Sequence, residues 1–159
     1  MAKSQNLKLP PQHLEAEQSV LGSLMLDRNA VVQVADVLSP PDFYHPQNSL
    51  IYEAILKLYE KHRPVDLLSV TTELKEKGVL KDIGGSAYLS KLVEAVPSAT
   101  HVAHYAKLVK DKKILRSLIN TSAEISEKAF NHEGELEETL DEIEQKIFSI
   151  SQHSVQQRF

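Results

Sequence analysis

Towards the C-terminal end of the chain the apolar positions fall on helical spacing. Leu136, Leu140, Ile143, Ile147 and Ile150 are separated by 4, 3, 4 and 3 residues, a seam down one face of a helix. Glu135, Glu137, Glu138, Asp141, Glu142 and Glu144 occupy the other faces, so one side is dry and several are wet. The acids crowd the N-terminal half and Lys146 lies near the end, which suits the helix dipole.

The helix before it changes sides. Val102, Tyr105, Ala106 and Val109 share one face, whereas Ile114, Leu118, Ser122, Ile125 and Ala129 share another. At roughly 100° per residue the two stripes lie about half a turn apart, and the switch falls at Lys112-Lys113. A helix that changes its dry side touches two different things. The early stripe is expected to dock on the N-terminal body and the later one on the returning helix. Asn131-His132-Glu133-Gly134 makes the turn, with Gly134 free to take a left-handed angle.

Five shorter helices are predicted upstream. The first runs from about Leu14 to Leu26, with Leu14, Val20, Leu21, Leu24 and Met25 inward. Gly22 inside it costs up to ~1 kcal/mol relative to Ala, so it marks a close helix crossing. Asp27 caps a second helix to Leu38, which Pro40-Pro41 stops. Pro46 opens a third, striped by Leu50, Ile51, Ala54, Ile55, Leu58 and Tyr59. Asp66 caps a fourth that Gly78 ends. Gly84-Gly85 precedes a fifth with Tyr88, Leu89, Leu92, Val93 and Val96 inside, and Ser98 or Thr100 caps the hairpin.

No segment alternates with period two for long, so no sheet is expected and the fold class is all-α. The predicted organisation is a flexible lead-in over 1–13, a helical body over 14–98, a projecting hairpin over 99–151 that serves dimerisation, and over 152–159 the start of a linker to a further domain.

A two-helix hairpin is a poor fold by itself. Five buried Leu/Ile side chains are worth on the order of 10 kcal/mol at about 2 each, as an upper estimate. One facing helix covers only part of that surface, so a second copy is expected to cover the rest. The candidate self-association residues are Ile114, Leu118, Ile125, Leu136, Leu140, Ile143, Ile147 and Ile150.

Composition narrows the chemistry. With 42% hydrophobic and 25% charged residues, the 159-residue chain is ordinary globular material. A net charge of -4 argues against a nucleic-acid grip over the whole surface. The absence of cysteine excludes disulfides, thiolate zinc sites and thiol catalysis, and fits a reducing cytoplasm. No apolar run approaches a membrane span and no signal peptide opens the chain.

No catalytic constellation emerges. The five glycines form no phosphate-cradling Gly-x-x-x-x-Gly-Lys loop. Of the histidines only His101 and His104 lie close enough on a helix to share a ligand, with Asp111 two turns away. Neither cofactor-binding, metal-binding nor catalytic residues are assigned. Lys107, Lys110, Lys112, Lys113 and Arg116 form the one basic cluster, and pairing with the acidic last helix is its simplest use.

The run Leu14-Glu15-Ala16-Glu17-Gln18-Ser19-Val20-Leu21-Gly22-Ser23-Leu24-Met25-Leu26-Asp27 resembles the opening of bacterial replicative DNA helicases of the DnaB type. The resemblance continues in order through Asp42-Phe43-Tyr44, Ile51-Tyr52, Pro64-Val65-Asp66-Leu67, Gly84-Gly85 with Tyr88-Leu89, Pro97-Ser98-Ala99 and Tyr105-Ala106, covering about residues 9 to 152. His13 departs from it, since relatives often carry a capping Ser or Asn there. The resemblance implies the N-terminal collar of a hexameric ring that unwinds duplex DNA 5′ to 3′. ATP and Mg would bind in a separate C-terminal domain. Hairpins would pair, and the pairs assemble as a trimer of dimers. Primase would dock on the collar, with the hairpin tip its candidate contact, and the helicase loader would be a second partner. DNA contact by this domain would be weak or absent, and the setting the bacterial cytoplasm near the nucleoid. The competing readings are a helical dimerising adaptor unrelated to replication and a metal-dependent hydrolase built on His101 and His104.

Overall fold

A computed structural model describes residues 8–156, with side chains described as far as His153. Among the described residues there are seven α-helices, one 3₁₀ turn and no strand, so the fold is all-α. The elements are α1 (Leu14–Leu26), α2 (Ala30–Ala35), the 3₁₀ turn Pro40–Asp42, α3 (Pro46–Glu60), α4 (Leu67–Lys77), α5 (Gly85–Glu94), α6 (Val102–Phe130) and α7 (Leu136–Gln156). They form two compact units, residues 12–110 and residues 8–11 with 111–156.

In the first unit, α1 packs on α3 and α5, and α3 packs on α4. Leu21, Leu24, Ile51, Tyr52, Ile55, Leu74, Leu89 and Leu92 form the dry centre. The caps follow the local chemistry. His13 Nδ1 accepts from the Ala16 N–H at 3.1 Å, filling the role of a Ser or Asn cap at α1. Asp66 caps α4 through the Ser69 N–H at 2.8 Å, and Gly78 closes it. Asp27 accepts from the Asn29 N–H at 2.9 Å, but α2 is shorter than the periodicity predicts and ends at Ala35. Leu14 differs as well: it lies in the first turn of α1 and is exposed.

The first unit runs to Lys110 and not to residue 98. Val102, Ala106 and Val109 of α6 are buried in its core, which accounts for the early stripe. The Lys110 ammonium meets the Asp42 carboxylate at 3.1 Å, with the two side chains 12% and 5% exposed. Asp42 also accepts from the Ser39 N–H at 2.9 Å, so the 3₁₀ turn and the last docked residue of α6 share one carboxylate.

A buried carboxylate ties α1 to the start of α3. Glu17, 1% exposed, accepts from the Tyr44 N–H at 2.8 Å, the Asn48 Nδ2 at 2.9 Å and the His45 N–H at 3.4 Å. Tyr88 donates to Asn48 Oδ1 at 2.6 Å, and its hydroxyl accepts from Gln18 Nε2 at 3.3 Å. Burial pushes the Tyr88 phenol above its ordinary pKa. The carboxylate, the amide and the phenol are each partnered, which is the condition for burying them, whereas the buried His45 Nε2 has no hydrogen-bond partner among the described residues.

In the second unit the remainder of α6 and α7 are joined by the turn through Gly134, which takes φ 87°. α7 continues to Gln156, past Gln152 where the linker was expected to begin. No glycine or proline stands there to stop it. Residues 1–7 of the expected lead-in and 157–159 of the expected linker lie outside the described residues.

Candidate association surface

The helical wheel fixes which way each hairpin side chain points. At about 100° per residue, Ile114, Thr121, Ile125 and Lys128 fall in one sector of α6, and Thr139, Ile143, Lys146 and Ile150 in one sector of α7. All eight are half-buried, so these sectors face each other. Leu118 on α6 and Leu136, Leu140 and Ile147 on α7 lie just beyond them, on one broad side of the hairpin. They are 44, 60, 49 and 47% exposed. The opposite broad side carries charges. Lys128 bonds Glu142 at 2.6 Å, and Lys146 bonds Glu124.

The eight sequence-predicted residues therefore divide. Ile114, Ile125, Ile143 and Ile150 fill the space between the helices, and the other four point outward. None of the eight is buried in the single chain. The physical cause is geometric: two rods touch along a line, and the wheel sectors beside that line stay wet.

The outlying apolar residues Leu115, Ile119, Phe130 and Phe148 are exposed as well. They fall outside the single stripe used to read the sequence. The i, i+4 pair of Leu115 and Ile119 is the signal that finds two of them.

The ion pairs move the titrations. The hydrogen bond and charge of Lys128 hold the Glu142 carboxyl below its usual range, and Lys146 does the same for Glu124. The Lys128 ammonium is raised in turn by Glu142. Members of the basic cluster have intramolecular partners. Lys110 is paired with Asp42, and Arg116 donates to the Pro11 carbonyl at 2.7 Å. His101 and His104 are exposed, and among the described residues no group of three or more His, Asp or Glu is placed to hold a metal ion. Among those residues, no helix is long and apolar enough to cross a membrane.

The chain comprises an all-α body and a helical hairpin, and its fold is that of a helicase N-terminal domain. The N-terminal domain of DnaB helicase from Mycobacterium tuberculosis superposes with a TM-score of 0.83 at 37% identity, over 89% of this chain and 99% of that one. The family model described as DnaB-like helicase N terminal domain matches residues 9–111, which span the whole body. The chain belongs to this family. The replicative DNA helicase DnaB of Geobacillus stearothermophilus is 43% identical over 145 residues, 91% of this chain and 32% of that protein. The chain thus spans about a third of the length of such relatives. A second similar structure is the N-terminal domain of DnaB helicase from Helicobacter pylori, described with its interactions with primase (TM-score 0.63, 28% identity, 73% of this chain and 90% of that one).

Proposed function

We propose that these residues form the assembly collar of a hexameric replicative DNA helicase and associate through the hairpin. The observation that carries the proposal is the uncovered row of Leu118, Leu136, Leu140 and Ile147, each roughly half exposed in the single chain. A second hairpin laid on this side would cover the row, and three such pairs would make a collar of six. In the whole protein, ATP hydrolysis with Mg and DNA unwinding 5′ to 3′ would lie outside these residues.

Primase and the helicase loader are the proposed partners of the collar. Primase is supported by the relative described with it. A strong DNA contact is not expected, because Lys110 and Arg116 have partners within the chain and the net charge is -4. The proposed setting is the bacterial cytoplasm.

Leu140→Asp tests the self-association. It puts a charge at the centre of the row while leaving the body untouched. Light scattering is expected to show a multimer for the wild type and a monomer for the variant. An unchanged mass would overturn the reading. The purified chain is further expected to lack DNA-stimulated ATPase activity, and measurable turnover would contradict a pure assembly role.

A further inference from the structure

An exposed aromatic and a groove on the body are still without a use. Phe130 closes α6 at the hairpin tip and is 89% exposed. Its surroundings are acidic, with Glu127, Glu133 and Glu135 close by in the chain and all exposed. The groove lies on the body between the end of α3 and α4. It encloses ≈ 260 Å³, and Leu58, Pro64 and Leu68 give it an apolar lining. Leu68 is 76% exposed, which for a leucine beside a groove marks an uncovered contact.

The groove's loop edge is basic. Arg63 lines it, and the exposed residues Lys61 and His62 precede Arg63 directly. Its other edge carries Glu73 and Glu76, but Glu73 is neutralised by Lys57 at 2.9 Å. His62 is the only non-glycine with positive φ among the described residues, at 58°. Arg63 N–H reaches back to the Leu58 carbonyl at 2.9 Å, so His62 takes the left-handed place at the end of α3 that glycine usually fills. Non-glycine residues held in the left-handed region cluster at functional sites.

We infer that the hairpin tip of one copy docks in the α3–α4 groove of another, with Phe130 seated on Leu58, Pro64 and Leu68 and the tip acids against Lys61 and Arg63. The match is of shape and of charge: an aromatic knob among acidic residues meets an apolar slot with one basic edge. The inference rests on the hairpin pairing proposed above. In a pair with two-fold symmetry the contact is made twice, each tip reaching the partner's body.

The absence of cysteine allows a direct test. Asn131→Cys and Leu68→Cys variants, mixed and mildly oxidised, are expected to give a mixed disulfide in preference to either self-linked dimer. Phe130→Asp and Leu68→Asp are each expected to weaken self-association about 30-fold or more, the usual effect of losing an aromatic anchor or its seat. Both positions are exposed, so circular dichroism should report an unchanged fold. If Leu140→Asp is monomeric while Phe130→Asp associates as the wild type does, the contact is overturned and the hairpin pairing stands. That is also the result expected if the tip serves primase instead. A wild type that stays monomeric at all concentrations overturns both.

Discussion

A Cβ built on Gly22 would stand 2.2 Å from the carbonyl oxygen of Leu92. This is where α1 crosses α5, and the obstacle is backbone, which cannot rotate away. Gly22→Ala would gain up to ~1 kcal/mol of helix propensity but must force the two helices apart, at a cost of about 1–3 kcal/mol or more. A net loss is expected, seen as a fall in Tm of roughly 2–4 °C per kcal/mol.

Glu17 gives a second prediction. Its carboxylate serves three donors, and Glu17→Gln turns an acceptor into a donor facing one of them. The expected cost is about 1–3 kcal/mol. Urea unfolding should show a lower midpoint with an unchanged slope. Glu17→Ala should cost more, because the Tyr44 and His45 N–H groups and Asn48 lose their shared partner.

The pair of Asp42 and Lys110 can be taken apart in a double-mutant cycle. Lys110→Met takes one cation from a nearly buried carboxylate and is expected to destabilise the body. Adding Asp42→Asn should recover part of that loss, since the carboxylate charge that Lys110 faced is then gone. Hydrogen exchange at residues 106–110 should quicken in the single variant and slow again in the double.

Titration of the hairpin should follow its ion pairs. Glu124 and Glu142 have folded pKa values below the unfolded one, about 4.3. Their contribution is present above that value and fades as pH falls through the lower folded ones. Lys128 is raised, so its contribution is present below its unfolded value of about 10.4 and fades as pH rises through the folded one. Carboxyl NMR should find Glu142 titrating closer to its ordinary position in Lys128→Met, with Glu124 still depressed by Lys146. All three groups are exposed, so salt should weaken the effect.

The tyrosines extend this to high pH. Tyr52 is fully buried and donates to the Leu38 carbonyl at 2.9 Å. Burial and the nearby Asp42 and Asp36 push its phenol far above the usual range. Tyr88 is raised as well, chiefly by burial. Both favour the folded state below about 10 and withdraw that support as pH climbs further. Tyrosinate absorbance should show Tyr52 ionising only as the body unfolds.

The helices were legible because each is punctuated by residues acting on their near neighbours. Pro46 opens α3, Asp66 and Gly78 bound α4, and Gly134 makes the hairpin turn. Such signals are local and survive without knowledge of the fold. The half-turn switch in α6 also read correctly in kind, since a change of dry face is written in the spacing. The shortness of α2 and the extension of α7 to Gln156 were not legible, because no strong stop or start stands at those ends.

The sequence by itself determined an all-helical chain, a long hairpin with an apolar row, and the absence of thiol chemistry, because these follow from residue type and period. Only the tertiary structure decided which apolar residues are covered. It turned Ile143 inward and left Leu140 in water, and it brought Glu17 under Tyr44 and Asn48, and Gly22 against Leu92. Each of these depends on which segments meet across tens of residues, and a one-dimensional period holds no information about the neighbour on the other side.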